Sequence, residues 1–140
     1  MKALFTKITV LFAIILSLFI SGEPYNVAAT VNGEVTSESQ VISVTVKNDT
    51  GKTINLVAPV VKSVEKEVDG IWETVGFAWL MEDGSRVCYP TQEVTTKISL
   101  SSYDISSLSV GEYRLSIPYS VKTKEETIHT YAYAYFNVNE

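Results

Sequence analysis

The sequence predicts an all-β domain built from two packed sheets, and three observations carry that prediction. Beyond Ala29, apolar and polar residues alternate with period two along run after run. Those runs are rich in β-branched and aromatic residues, and turn signals recur about every ten positions. No segment shows a sustained apolar repeat at helical spacing. At 140 residues the chain has room for one ordinary domain.

The first stretch, "MKALFTKITVLFAIILSLFISGEPYNVAA", reads as a signal peptide. Lys2 and Lys7 precede an uncharged apolar run from Ile8 to Ile20. That length suits a signal core and falls short of the roughly 20 residues needed to span a bilayer as a helix. Small residues in Val27-Ala28-Ala29 place cleavage after Ala29, with a cut after Gly22 or an uncleaved anchor as alternatives. The division is therefore residues 1–29 as signal and 30–140 as the domain. Removing the signal leaves 9 basic and 15 acidic side chains, a net charge of −6. Such acidity argues against nucleic acid and anionic membrane as partners, leaving membrane contact only through an uncleaved signal segment.

The elements follow in order. "QVISVTVKND" alternates Ile42, Val44 and Val46 against Ser43, Thr45 and Lys47, then breaks at a turn. "TINLVAPV" is a second run, with Pro59 marking an edge or bend. Asp69-Gly70 and Asp83-Gly84 each sit between strand-like flanks, a strong hairpin signal because both turn residues tolerate positive φ. "EVTTKISLSSYD" supplies a strand through Val94, Thr96, Ile98 and Leu100. Cys88 stands alone, so no internal disulfide forms; it reads as a small buried hydrophobe, with pairing between chains as the alternative.

The last two runs, "GEYRLSIPYSV" and "TIHTYAYAYFNV", flank the polar "KTKEET". A turn at Lys124-Glu125 sets Val121 against Ile128, Tyr119 against Thr130, Ile117 against Ala132, Leu115 against Ala134 and Tyr113 against Phe136. Large then meets small on that face, as a close-packed core prefers. The other face pairs Ser120 with His129, Pro118 with Tyr131, Ser116 with Tyr133 and Arg114 with Tyr135. Alanines point inward and tyrosines outward, and a one-residue slip would exchange the two sets.

Together these elements predict an immunoglobulin-like sandwich of about seven to nine antiparallel strands. In "SLSVGEYRLSI", Leu108, Gly111 and Tyr113 have the spacing of a tyrosine corner, in which a tyrosine hydroxyl ties the crossing loop to a strand start. Taken in order, "ISVTVKNDTGKTI", "SVEKEVDGIWETV" and "SLSVGEYRLSI" resemble the bacterial Ig-like domains of exported proteins from bacilli and related Gram-positive bacteria. The resemblance covers most of residues 40–120, with Val64 where leucine is common. It implies a secreted or surface-attached β-sandwich without catalytic residues to carry over. A secreted domain with a single cysteine fits the same Gram-positive setting. Trp72 is then expected to be the core tryptophan of the sandwich.

Chemistry is mostly absent. His129 is the single histidine, so a nucleophile–histidine arrangement or a His/Cys metal site has no second member. No phosphate loop, cofactor motif or metal motif occurs; Glu65, Glu67, Asp69 and Glu82-Asp83 are the carboxylates weighed for calcium. Asn48-Asp49-Thr50 reads as a turn rather than as a used glycosylation sequon. Two groups are candidates for binding. One is the stripe Tyr131, Tyr133 and Tyr135, with Arg114 opposite Tyr135 for a cation–π contact. The other is Phe77, Trp79 and Met81 beside Asp83-Gly84. The expected function is non-catalytic: a binding or structural module engaging a protein or glycan at the cell surface. The alternative is a secreted protease inhibitor using "LMEDGSR" as a protruding loop.

Overall fold

The computed structural model describes residues 25–78 and 84–140. The apolar run from Ile8 to Ile20, Trp79, Met81 and most of "LMEDGSR" lie outside the described residues. Ten strands form among the described residues: β1 (Val27–Asn32), β2 (Val35–Thr36), β3 (Val41–Asn48), β4 (Ile54–Val57), β5 (Ser63–Val68), β6 (Ile71–Phe77), β7 (Ser85–Cys88), β8 (Glu93–Ser99), β9 (Gly111–Lys122) and β10 (Thr127–Asn139). A 3-10 turn, Leu100–Tyr103, follows β8.

The strands make an all-β sandwich of two sheets. The smaller has the order β1-β3-β8, and the larger runs β2-β10-β9. One edge of the long β9 is then shared: β4 takes its Tyr119–Val121 half and β5 its Tyr113–Ser116 half. Beyond these lie β7, paired with β4, and β6, paired with β5. β4 and β5 thus behave as one strand interrupted by a bend through the cis Ala58–Pro59 bond, and Lys62 N–H rejoins the ladder at the Ser116 carbonyl. That interruption, with the two-residue β2 lying parallel to β10, takes the count past the expected seven to nine.

Two local turns set most of the larger sheet. Asp69 and Gly70 have φ of 52° and 80°, the paired positive values that a two-residue hairpin requires, and Val68 faces Ile71 across them. At the β9–β10 turn, Thr123 N–H donates to the Glu126 carbonyl and its hydroxyl accepts from Glu126 N–H. The pairing there runs Val121–Ile128 through Tyr113–Phe136, as the Lys124-Glu125 turn requires. Ala132 and Ala134 are buried, and their small size leaves room for β1, which packs against β10.

The core fills the space between the sheets with Ile42, Val44, Val46 and Val94 on one side and Leu56, Val64, Leu115 and Ile117 on the other. Two polar ties cross it. Asn48 is fully buried on β3, and its amide donates to the carbonyls of Lys52 and Cys88 while its oxygen accepts from Thr50. Every hydrogen-bonding position of that side chain is occupied, so the sequon serves the turn. Tyr103 donates its hydroxyl to the Val61 carbonyl, joining the 3-10 turn to the start of β5. Tyr113 donates to the Ser109 carbonyl four residues upstream at 2.8 Å, which is the tyrosine-corner bond. Cys88 is buried, its thiol against the Gln92 carbonyl, and burial raises its pKa above the ordinary value.

Candidate functional site

The outer face of the larger sheet is where the candidate residues gather. Cross-strand register builds it in rows. One row reads Thr74–Glu65–Arg114–Tyr135 across β6, β5, β9 and β10, and the next reads Phe77–Ser63–Ser116–Tyr133. Tyr131 follows one step along β10, opposite Pro118.

Arg114 is the centre. Its guanidinium carbon lies 4.0 Å from the Tyr133 ring centre and 4.6 Å from that of Trp72, so two aromatic faces hold one cation. Its Nη2 donates to Glu65 Oε1 at 3.0 Å, with both side chains largely buried. The Nε is buried and has no hydrogen-bond partner among the described residues, so ring faces carry part of the work that hydrogen bonds would otherwise do. Burial works against the charge, yet hydrogen bonds to Glu65 and Tyr135 and the Glu65 carboxylate outweigh it, and the Arg114 pKa is raised. Burial likewise raises the Tyr133 hydroxyl pKa, with Arg114 opposing the shift.

Around this centre the rings form a chain. Tyr131 and Tyr133 are 6.3 Å apart between ring centres, Tyr133 and Tyr135 6.4 Å, and Tyr135 meets Trp72 edge-on at 5.7 Å. Lys62 Nζ donates to the Tyr131 hydroxyl at 3.3 Å. Tyr135 is 59 % exposed and Tyr131 39 %, whereas Tyr133 and Trp72 are half-buried beneath them. The result is a contiguous aromatic surface packed around a paired arginine.

The structure brings Arg114, Tyr131, Tyr133 and Tyr135 together as the sequence predicts, and adds Phe77, exposed on β6 and on the same face by register. Trp79 and Met81 lie outside the described residues. Two corrections apply. Trp72 is no core tryptophan; it sits half-buried on the outer face, and Tyr119 is the bulkiest of the fully buried side chains. Arg114 stacks on Tyr133 and Trp72 rather than on Tyr135, its cross-strand partner. Glu65 and Glu67, weighed as calcium ligands, are engaged elsewhere, Glu65 by Arg114 and Glu67 by the Gly70 N–H. The Asp69-Gly70 turn alone pairs Glu67 with Trp72 and Glu65 with Thr74 on one face, which was the signal for Trp72. As for Asp83-Gly84, β7 finds its pairing in β4.

Elsewhere a cleft of about 880 Å³ opens between the sheets, floored by Val60, Val61 and Ile98 and rimmed by the exposed Arg86, Lys97 and Asp104. Its described lining includes neither histidine nor cysteine. His129 is exposed on β10 beside Ser120.

Fold and face together define an immunoglobulin-like β-sandwich with one aromatic outer surface. No protein-family model matches the sequence, and no curated protein matches it. Among solved structures, the chain is similar to the PapD-like domain 7 of human CEP192, at 12 % identity and a TM-score of 0.38 over 85 % of this chain and 89 % of that one. A protein from Archaeoglobus fulgidus is similar at 18 % identity and a TM-score of 0.30, covering 82 % of this chain and 97 % of that one. A β-glucosidase from Listeria innocua is similar at 14 % identity and a TM-score of 0.33, covering 83 % of this chain but only 16 % of the enzyme.

Proposed function

We propose that this chain is an exported, non-catalytic binding module of a Gram-positive cell that offers the outer face of its larger sheet to a protein partner. One observation carries the reading: a largely buried Arg114 stacked on both Trp72 and Tyr133 beside an exposed Tyr135 and Tyr131. Tryptophan, tyrosine and arginine dominate binding hot spots, and rings already held in place lose little entropy on association. A protein suits this face better than a glycan. Sugar hydroxyls need convergent polar groups, whereas Glu65 and Arg114 are consumed by each other. A protease inhibitor acting through "LMEDGSR" has no comparable support, since residues 80–83 lie outside the described ones.

Membership of the bacterial Ig-like family is supported by the roles its three motifs play. Asn48 bolts the β3 end, Asp69-Gly70 turns β5 into β6, and Tyr113 closes the corner. Signal cleavage is proposed after Gly22 rather than Ala29. β1 begins at Val27, which pairs with Asn48 and is buried, so a cut after Ala29 would remove half of that strand. The mass of the exported protein decides it: Glu23 as first residue is expected, and Thr30 would overturn the boundary.

The binding reading is tested with a photo-crosslinking amino acid placed at Tyr135 or, on the opposite sheet, at Thr95. A discrete adduct on producing cells from position 135 and none from 95, lost on Arg114→Ala, is the expected result. Equal adducts from both faces, or none, would sink the proposal.

A further inference from the structure

Sheet edges invite further strands, and most edges of this molecule are blunted in recognisable ways. β8 carries Glu93 and Lys97, β7 has four residues with Arg86 among them, β2 has two, and β1 packs against β10. β6 is different. Among the described residues it pairs with β5 alone, runs seven residues without lysine or proline, and exposes Ile71 (65 %) and Val75 (40 %). Its bulge falls late, where Glu65 faces Thr74 and Val64 faces Gly76 with Val75 between them, so Ile71–Thr74 remain regular. Trp72 stands on that regular stretch and belongs to the aromatic face.

We infer that β6 is a strand-addition site for an extended, basic and apolar segment of another protein. Backbone groups of β6 supply the ladder, and alternate partner side chains fall beside Trp72 and Thr74 on the outer face. Charge selects the occupant. The β5–β6 hairpin holds four acidic side chains and one lysine. Arg114 neutralises Glu65, and Lys66 is drawn away to Ser109, leaving Glu73 on the edge strand and Asp69 at its turn, with Glu67 on β5 held by the Gly70 N–H. A second copy of this chain fits poorly. Antiparallel pairing of two β6 strands about their middle sets the two Glu73 side chains opposite or diagonal to each other, a repulsive arrangement.

This inference rests on reading the larger sheet as the binding side, and the test separates the two. The probes are peptides of about nine residues, long enough for a strand: alternating lysine and valine, alternating glutamate and valine, and a block isomer of the lysine peptide with the same charge. Amide exchange of the purified protein is followed at about 0.15 M salt, where distant charge is screened. The expected result is slowed exchange confined to Ile71–Phe77 with the alternating lysine peptide, bound about tenfold more tightly than either other peptide. Glu73→Lys should move the preference toward the glutamate peptide. Unchanged β6 amides, or equal binding of the alternating and block lysine peptides, overturn the edge site. A natural partner that shields Tyr135 without slowing β6 amides also overturns it while leaving the aromatic-face reading intact.

Discussion

On the smaller sheet the outward row Thr30–Thr45–Thr95 crosses β1, β3 and β8, with Asn32 donating to Thr45 at 2.8 Å and Thr45 sharing a hydrogen with Thr95 at 2.9 Å. On the larger sheet the matching row is Thr74–Glu65–Arg114–Tyr135, crowned by Trp72 and Tyr133. Both faces cover a similar apolar layer. The first needs only short hydroxyls that satisfy one another and water. The second assembles large rings and a buried ion pair, far more than a solvated sheet requires. Folding explains the threonine face completely, and it leaves the exposed Tyr135 and Tyr131 unexplained.

Four perturbations break or sharpen that contrast, the largest first. Gly76 anchors the far edge of the aromatic sheet, and a methyl there would lie 2.5 Å from Ile105 Cδ1 and 2.6 Å from the Tyr103 carbonyl oxygen. Gly76→Ala should therefore cost about 3 kcal/mol, since backbone cannot yield as a side-chain tip does. Thermal melts check it, and an unchanged midpoint would show that β6 is not clamped.

Alkaline pH tests the strut between the sheets. Burial pushes the Tyr103 hydroxyl from 10 up to about 12. The unfolded chain loses this proton first, so the contribution is intact below about pH 10 and fades between about 10 and 12, by as much as ~3 kcal/mol. Urea midpoints across that range should fall more steeply than for Tyr103→Phe. Parallel curves would remove the claim.

Arg114→Ala should cost about 2 kcal/mol, because it strands a largely buried Glu65 and removes the cation between two rings. Arg114→Lys should recover less than half, an ammonium being unable to stack as a planar guanidinium does. Denaturant titration gives both numbers, and full rescue by lysine would mean that charge alone matters. The smallest effect belongs to the other face: Thr45→Ala should cost less than about 0.5 kcal/mol. A larger loss would make the polar carpet structural and weaken the contrast drawn above.

Much of this was readable from residues alone where interactions are local. Two-residue turns fix hairpin register, and register with period two fixes the face of every side chain between them. Lys124-Glu125 thereby places Tyr131, Tyr133 and Tyr135 outward, and Asp69-Gly70 places Trp72 with Glu65 and Glu67. The same arithmetic overrules the expectation of a core Trp72, which came from resemblance rather than from register.

What stayed hidden depends on pairings between segments distant in sequence. No turn joins β5 to β9, so nothing local says that Glu65 meets Arg114 or that Trp72 closes over it. Nor does composition show that β9 divides one edge between β4 and β5. Sandwich class, hairpin registers and outward tyrosines follow from neighbours in the chain, because alternation and turn geometry act over a few residues. That two hairpins lie edge to edge and merge their outer faces around Arg114 is set by the fold, because non-local pairing is chosen by the packing of the whole core.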